Sequence, residues 1–412
     1  MNVYAVIILA TLILGFIIDI VAEYLNLKNL KEELPQEFAG VYDDDTYKKS
    51  QQYTLTKTKF GFITSILNII VLLVFWFSGG FNWLDLIVRN WVDGTIYLGL
   101  SYTGILLFAN GLISLPFEIY NTFVIEEKFG FNKTTVKTFI LDILKSTLLA
   151  IIIGAPLYAG ILYIFEISGD NAWLIGWLAV TIFTITIQYV APRWIMPLFN
   201  KYTPLEDGEL KESILNYSKS VKFSLQNVYV MDGSKRSTKS NAFFTGFGKN
   251  RRIVLFDTLI SKHSVPELVA ILAHEIGHYK KRHILQGMLI GIVHTGILFF
   301  LLSIFLSHKD LFDAFYMENI SIYTGLIFFG MLYSPIELIL SLFLNVLSRK
   351  NEYQADRFAA ETTKDSVHLI NALKNLSKDN LSNLTPHPFY VFLNYSHPTV
   401  LDRIFKLKKI TA

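Results

Sequence analysis

The sequence predicts an all-α polytopic membrane protein of about seven transmembrane helices, with a small α+β domain on the cytosolic side. Three observations predict it: seven long apolar windows, a strict alternation of Lys and Arg among the connections, and a single long polar insertion. Of 412 residues, 52% are hydrophobic and only 17% are charged, against roughly 25% charged in a soluble domain. The mean hydropathy is +0.40. A formal net charge of +3 gives no warrant for a nucleic-acid partner. Cysteine is absent, which excludes disulfides and thiolate metal sites, so any metal must be held by His and carboxylates.

The windows run over about 4–24, 62–78, 96–116, 144–165, 172–190, 284–306 and 322–347. At 1.5 Å per residue each can cross a hydrocarbon core of roughly 30 Å. The first lacks a basic leader and a small-residue cleavage site, so it reads as a retained helix. The shortest, 62–78, has boundary residues that could extend it on both sides. Connection 25–61 carries Lys28, Lys31, Lys48, Lys49, Lys57 and Lys59, and 117–143 carries Lys128, Lys133 and Lys137. The 191–283 segment and the tail after 348 are also rich in Lys and Arg. Connections 79–95, 166–171 and 307–321 hold only Arg89 and Lys309 between them. The positive-inside rule then puts the N-terminus outside and both polar parts toward the cytosol.

Asp19 and Glu23 lie one turn apart near the end of span one, and Glu337 lies inside span seven. Such groups are costly in lipid and face protein or water; the first two could equally mark the membrane border. Pro116, Pro156 and Pro335 point to kinks or helix ends. In the polar insertion, 227–231 and 252–256 read as short strands rich in Val, Ile, Phe or Tyr. Gly246 and Gly248 punctuate the stretch between them. From Pro266 the apolar residues Leu268, Ile271, Leu272 and Ile276 recur at helical spacing, with Ser264 as a cap.

That helix carries "HEIGH". His274 and His278, at i and i+4, present both imidazoles on one face, which suits two corners of a tetrahedral zinc site. Glu275 is placed to take a proton from the attacking water without being a ligand. The motif alone also fits a polar helix at a membrane border. Gly277 favours the metal, because it costs helix stability and leaves room for something beside the site. A third ligand is sought in "RKNEYQADRFAA" (349–360), a helical continuation of span seven. Glu352 and Asp356 share one face there, Glu352 assigned to the metal and Asp356 to a ligating histidine; a solvated helix surface is the alternative. Both motifs meet the same membrane face. The chain divides into 1–190 (spans one to five), 191–283 (soluble catalytic segment), 284–348 (spans six and seven) and 349–412 (the cytosolic part completing the site).

The sequence resembles the integral-membrane zinc endopeptidases of the CAAX prenyl protease 1 type, within the M48 peptidases. The markers are "IEEKFGFNKTT" (125–135), "PLFNKYTPL" (197–205), "SNAFFTGFGKNRRIVLFDTL" (240–259), "HEIGH", "NEYQAD" and "YSHPTVLDR" (395–403), in family order across nearly the whole chain. The resemblance implies one Zn2+ per chain on His274, His278 and Glu352, with Glu275 as base. It implies that Asn241 binds the substrate backbone beside an edge strand, where the residues alone leave an ordinary turn asparagine equally open. It also implies that His397 and Arg403 bind substrate or the developing oxyanion, although "SHP" by itself reads as a helix start. The chain departs from the family before Asn241, where "STKSN" lacks a histidine common among relatives. His283 and His294 match no ligand position and are read as structural or incidental.

The resemblance further implies seven helices around a water-filled chamber capped by the soluble domain. The partners expected are a peptide or protein substrate, prenylated or not, and membrane lipid. The leading activity is cleavage near the C-terminus of prenylated CaaX-type peptides, with clearance of damaged or mis-inserted membrane proteins as the alternative. A non-proteolytic transporter or chaperone is the third reading, and no second copy of either motif supports a transporter's repeats. The membrane would be the inner membrane in a bacterium or the endoplasmic reticulum in a eukaryote.

Overall fold

A computed structural model describes residues 1–225, 227–245 and 252–411. The expected glycines 246 and 248 lie outside the described residues. Among the described residues seven helices are long and apolar enough to cross a membrane: Val3–Lys28, Asp44–Phe77, Thr95–Glu126, Val136–Ile167, Gly169–Leu198, His283–Phe305 and Ile322–Thr363. Most run well beyond the apolar windows. The second begins at Asp44 rather than near 62, because Asp43 caps it, accepting a hydrogen bond from the Thr46 amide at 2.7 Å. Polar first turns then continue without a break into the apolar half.

None of the three prolines expected to mark kinks or ends, Pro116, Pro156 and Pro335, ends a helix. Pro116 and Pro335 sit inside continuous helix. Pro156 follows a π-helical turn, Ala150–Gly154, a wider turn that accommodates the missing N–H.

The polar insertion folds around a four-stranded sheet of order β1-β2-β4-β3. Here β1 is Tyr202–Pro204, β2 Asn227–Met231, β3 Ala242–Thr245 and β4 Arg252–Phe256. β2 and β4 are the two expected strands, paired in parallel, while β1 and β3 pair antiparallel on either side. The two outer strands are only three and four residues long. Pro204 suits an edge, where no ladder donor is needed.

Among the described residues two large packed regions hold the chain, and a smaller one gathers Ile125, Phe129, Phe131 and Leu381. The first joins the sheet to helix Val265–Lys280 through Leu268, Ile271, Leu272 and Ile276, the face anticipated from spacing, with Ile253, Leu255 and Ala359 against it. Ser264 opens this helix in a capping box with Glu267. The second region lies among the spans, around Trp76, Phe81, Phe315 and Phe328. Phe315 and Phe328 stack with ring centroids 3.8 Å apart. There Asp85, fully buried, meets Arg89 at 2.8 Å and Tyr323 at 2.5 Å.

Candidate metal centre

The helix carrying "HEIGH" does not run directly into span six. It stops at Lys280, and Arg282 takes a left-handed conformation (φ 62°) before His283 begins the next helix. Span seven behaves differently. Its helix continues unbroken for 42 residues, carrying Glu352 and Asp356 beyond the apolar window to the end of the motif helix.

The two helices meet at Gly277. A Cβ there would lie 3.1 Å from both the Cα and the carbonyl oxygen of Ala355. The room expected beside the metal is therefore occupied by backbone. Gly277 serves the centre by letting the helices approach: what it leaves room for is the Ala355 backbone.

This contact brings three donors together. Ligand atoms of His274, His278 and Glu352 all lie within 4.8 Å of one another. The two Nε2 atoms are 3.1 Å apart. Glu352 Oε1 lies 3.1 Å from His278 Nε2, and Oε2 lies 3.4 Å from His274 Nε2. Glu352 Oε2 is buried and, among the described residues, has no hydrogen-bond partner within ordinary geometry. Two imidazole nitrogens and a carboxylate oxygen with a spare lone pair form a donor set that a divalent metal fits.

The surroundings hold those lone pairs inward. His274 Nδ1 is 2.9 Å from Asp356 Oδ1, which favours the proton on Nδ1 and leaves Nε2 as a donor atom. For His278 the chain is longer. Gln354 Oε1 can only accept, so His283 Nε2–H donates to it at 3.1 Å. His283 Nδ1 then accepts from His278 Nδ1–H at 3.1 Å, freeing His278 Nε2. His283, expected to be structural or incidental because it matches no ligand position, thus has a structural part: it orients a ring of the cluster. Gln354 escaped notice because only the fold brings it there. Burial alone would lower the basicity of His274, but its contacts with Asp356 and Glu352 outweigh that and raise its pKa to about 9.

Arg403 closes the cluster from the C-terminal helix Val400–Thr411. It donates two hydrogen bonds to Asp356, at 2.9 and 2.6 Å, and reaches within 3.6 Å of Glu352 Oε2. Burial opposes its charge, and Asp356 more than restores it. His397 sits in the preceding loop, largely exposed, with Nδ1 3.0 Å from Glu352 Oε1. The helix start expected at Pro398 falls two residues later, at Val400, with the Thr399 hydroxyl accepting from the Asp402 amide. Asn241 is exposed immediately before β3, an outer strand of the sheet. Its carbonyl accepts from the Phe256 amide at 3.1 Å.

A cavity of about 540 Å³ opens on the cluster. Its lining includes Glu275, His397 and Phe244, and its apolar wall includes Ile284, Ile290 and Leu344. Glu275 makes no hydrogen bond to another described residue. His294 also lines this cavity, 3.1 Å from the Tyr333 hydroxyl and 3.2 Å from Glu337. Glu337 therefore has a polar partner within the spans. Glu23 accepts from Thr58 at 3.2 Å.

Residues 23–201 match the family model described as CAAX prenyl protease N-terminal, five membrane helices, and residues 204–411 match that of peptidase family M48. The chain belongs to peptidase family M48. Curated relatives named CAAX prenyl protease 1 or its homolog agree over nearly full length. The Saccharomyces cerevisiae protein is 36% identical across 94% of this chain and 91% of its own. The human protein is 35% identical, across 91% and 88% respectively. The solved S. mikatae Ste24p structure superposes with a TM-score of 0.91 at 36% identity, covering 99% of each chain. This M48 member is thus a multi-pass membrane metalloendopeptidase acting on a peptide or protein substrate. The family requires a metal, and the His-His-Glu group is where the structure offers one.

Proposed function

We propose that this protein is a zinc-dependent endopeptidase that cleaves prenylated CaaX-type or related peptides near their C-terminus. The observation that carries the reading is the convergence of His274, His278 and Glu352 within 4.8 Å, with Glu275 beside them on the wall of a largely apolar cavity. His274, His278 and Glu352 would hold the zinc. The chemistry it supplies when bound is Lewis acidity toward a carbonyl and activation of water near neutral pH.

The remaining steps belong to the chain. Glu275, without a hydrogen-bond partner among the described residues, takes the proton of the attacking water and delivers it to the leaving amine. His397, exposed at the cavity, donates to the oxygen that becomes negative as the carbonyl is attacked. Arg403, with two hydrogen bonds on Asp356, acts through that carboxylate to hold His274 and adds positive field at the cluster. Asn241 and the outer edge of β3 bind the substrate backbone as an added strand. Ile284, Ile290 and Leu344 supply a wall suited to an apolar group on the substrate. The crowding of Lys and Arg into alternate connections favours placing the catalytic face toward the cytosol, and eukaryotic relatives favour the endoplasmic reticulum.

The test compares two matched peptides, one ending in a farnesylated CaaX sequence and one unmodified, incubated with purified zinc-loaded protein. Glu275→Gln serves as the blank and mass spectrometry reads the products. Cleavage of the lipidated peptide alone, three residues from its end, is the expected result. Equal cutting of both would overturn the prenyl specificity and favour turnover of damaged membrane proteins.

A further inference from the structure

The stretch "IEEKFGFNKTT" (125–135) has no part in the chemistry above, yet it makes a dense set of contacts with the segment leading into β3. Glu126, at the end of span three, accepts from the Tyr53 hydroxyl of span two at 2.7 Å and from Lys239 Nζ at 2.9 Å. Lys239 Nζ also donates to the Tyr53 hydroxyl at 2.8 Å and lies 4.4 Å from the centre of the Phe131 ring. Lys57 approaches the same carboxylate at 3.5 Å.

The backbone repeats the pairing. The Thr238 amide donates to the Phe131 carbonyl at 3.1 Å, and the Lys133 amide donates to the Arg236 carbonyl at 3.0 Å. Asn132 and Ser237 form an antiparallel bridge. Gly130 makes the turn possible with φ +81°. On its other side the segment is tied to the soluble domain. Thr258 Oγ1 donates to the Lys239 carbonyl at 2.9 Å, and Asn380 brackets the Ser240 backbone at 3.1 and 3.2 Å.

Asn241 lies two residues beyond Lys239, and β3 begins at Ala242. So short a connection between a double-sided anchor and a substrate-binding edge leaves little freedom. We infer that Glu126 and Lys239 are positioning residues that set the register of Asn241 and β3 against the metal cluster, coupling spans two and three to substrate binding. The inference rests on the β3 edge being the peptide-binding strand, as proposed above.

Three variants test it: Glu126→Gln, Lys239→Met and Lys239→Arg. Losing the ion pair should raise KM for the peptide roughly tenfold while kcat stays within about twofold, the pattern of lost uniform binding. Lys239→Arg keeps both charge and ring contact and should restore KM to near wild type. Metal content should equal wild type in all three. Independently of turnover, amide exchange over Asn241–Thr245 should accelerate about tenfold in Glu126→Gln and Lys239→Met. Unchanged KM and unchanged exchange would overturn the inference, as would loss of metal or a KM defect that arginine fails to rescue. If the wild-type protein cleaved no peptide, the functional reading would fall and the exchange data alone would decide the clamp.

Discussion

Gly277 packs directly on the backbone of Ala355, where an added Cβ would sit 3.1 Å from both the Cα and the carbonyl oxygen. That single approach joins the helix bearing two donor histidines to the one bearing the donor glutamate. Gly277→Ala would gain about 1 kcal/mol of helix propensity while forcing the neighbour back by a few tenths of an ångström, so its melting temperature should change little. Gly277→Val adds volume beyond what so small a shift relieves and should weaken zinc binding by at least about tenfold. Competition with a chromophoric chelator measures both.

Glu275→Gln should retain zinc stoichiometry and lower kcat by about 10²–10⁴-fold, the range for a lost general base. Metal analysis together with single-turnover peptide cleavage checks it. Full proteolysis in this variant would sink the mechanism.

His283→Ala removes the ring that sets the tautomer of His278. Zinc affinity should fall about 10–100-fold, as for other partners of ligating histidines. Gln354→Leu should show a smaller loss in the same direction. Activity at saturating zinc recovers in both if the role is orientation.

Arg403→Ala leaves Asp356, almost fully buried, without its two-pronged partner. A destabilisation of about 3–5 kcal/mol follows from breaking a buried pair. Arg403→Lys should recover only part of it, because an ammonium cannot make both planar hydrogen bonds. Thermal unfolding in detergent reads the difference.

His263 supplies a pH dependence away from the metal. Its side chain is fully buried, 3.4 Å from Glu267, and neither ring nitrogen has a hydrogen-bond partner among the described residues. Burial holds its pKa below the ordinary 6.5, with Glu267 and Asp379 only partly opposing. The unfolded chain then takes up the proton more readily, so stability should fall as pH drops from 6.5 through the folded pKa. Melting curves between pH 5 and 7.5 should show this slope, and His263→Phe should reduce it.

Much of this architecture was legible in advance. Seven apolar windows anticipated seven long helices, and the Val, Ile and Tyr runs gave β2 and β4 their observed ends. β1 and β3 went unread because three or four residues carry too little periodicity and owe their pairing to the neighbouring strand. The second window, open to extension on both sides, grows only toward its N-terminus, and how far is set by a cap at Asp43 that an apolar pattern does not reveal.

The candidate site divides along the same line. Helical spacing placed His274 and His278 on one face, and Glu352 and Asp356 on another, because i and i+4 are neighbours on any helix. Whether those two faces meet is a matter of packing, and it turns on Gly277 and Ala355, 78 residues apart in sequence. His283 with Gln354, and Glu126 with Lys239, were likewise invisible in the string. Spans, strands and motif faces are local properties, set by side-chain periodicity over a few turns. Donor convergence, ring tautomers and the anchoring of β3 are decided only when distant segments pack, since hydrogen bonds and close contacts act over about 3 Å.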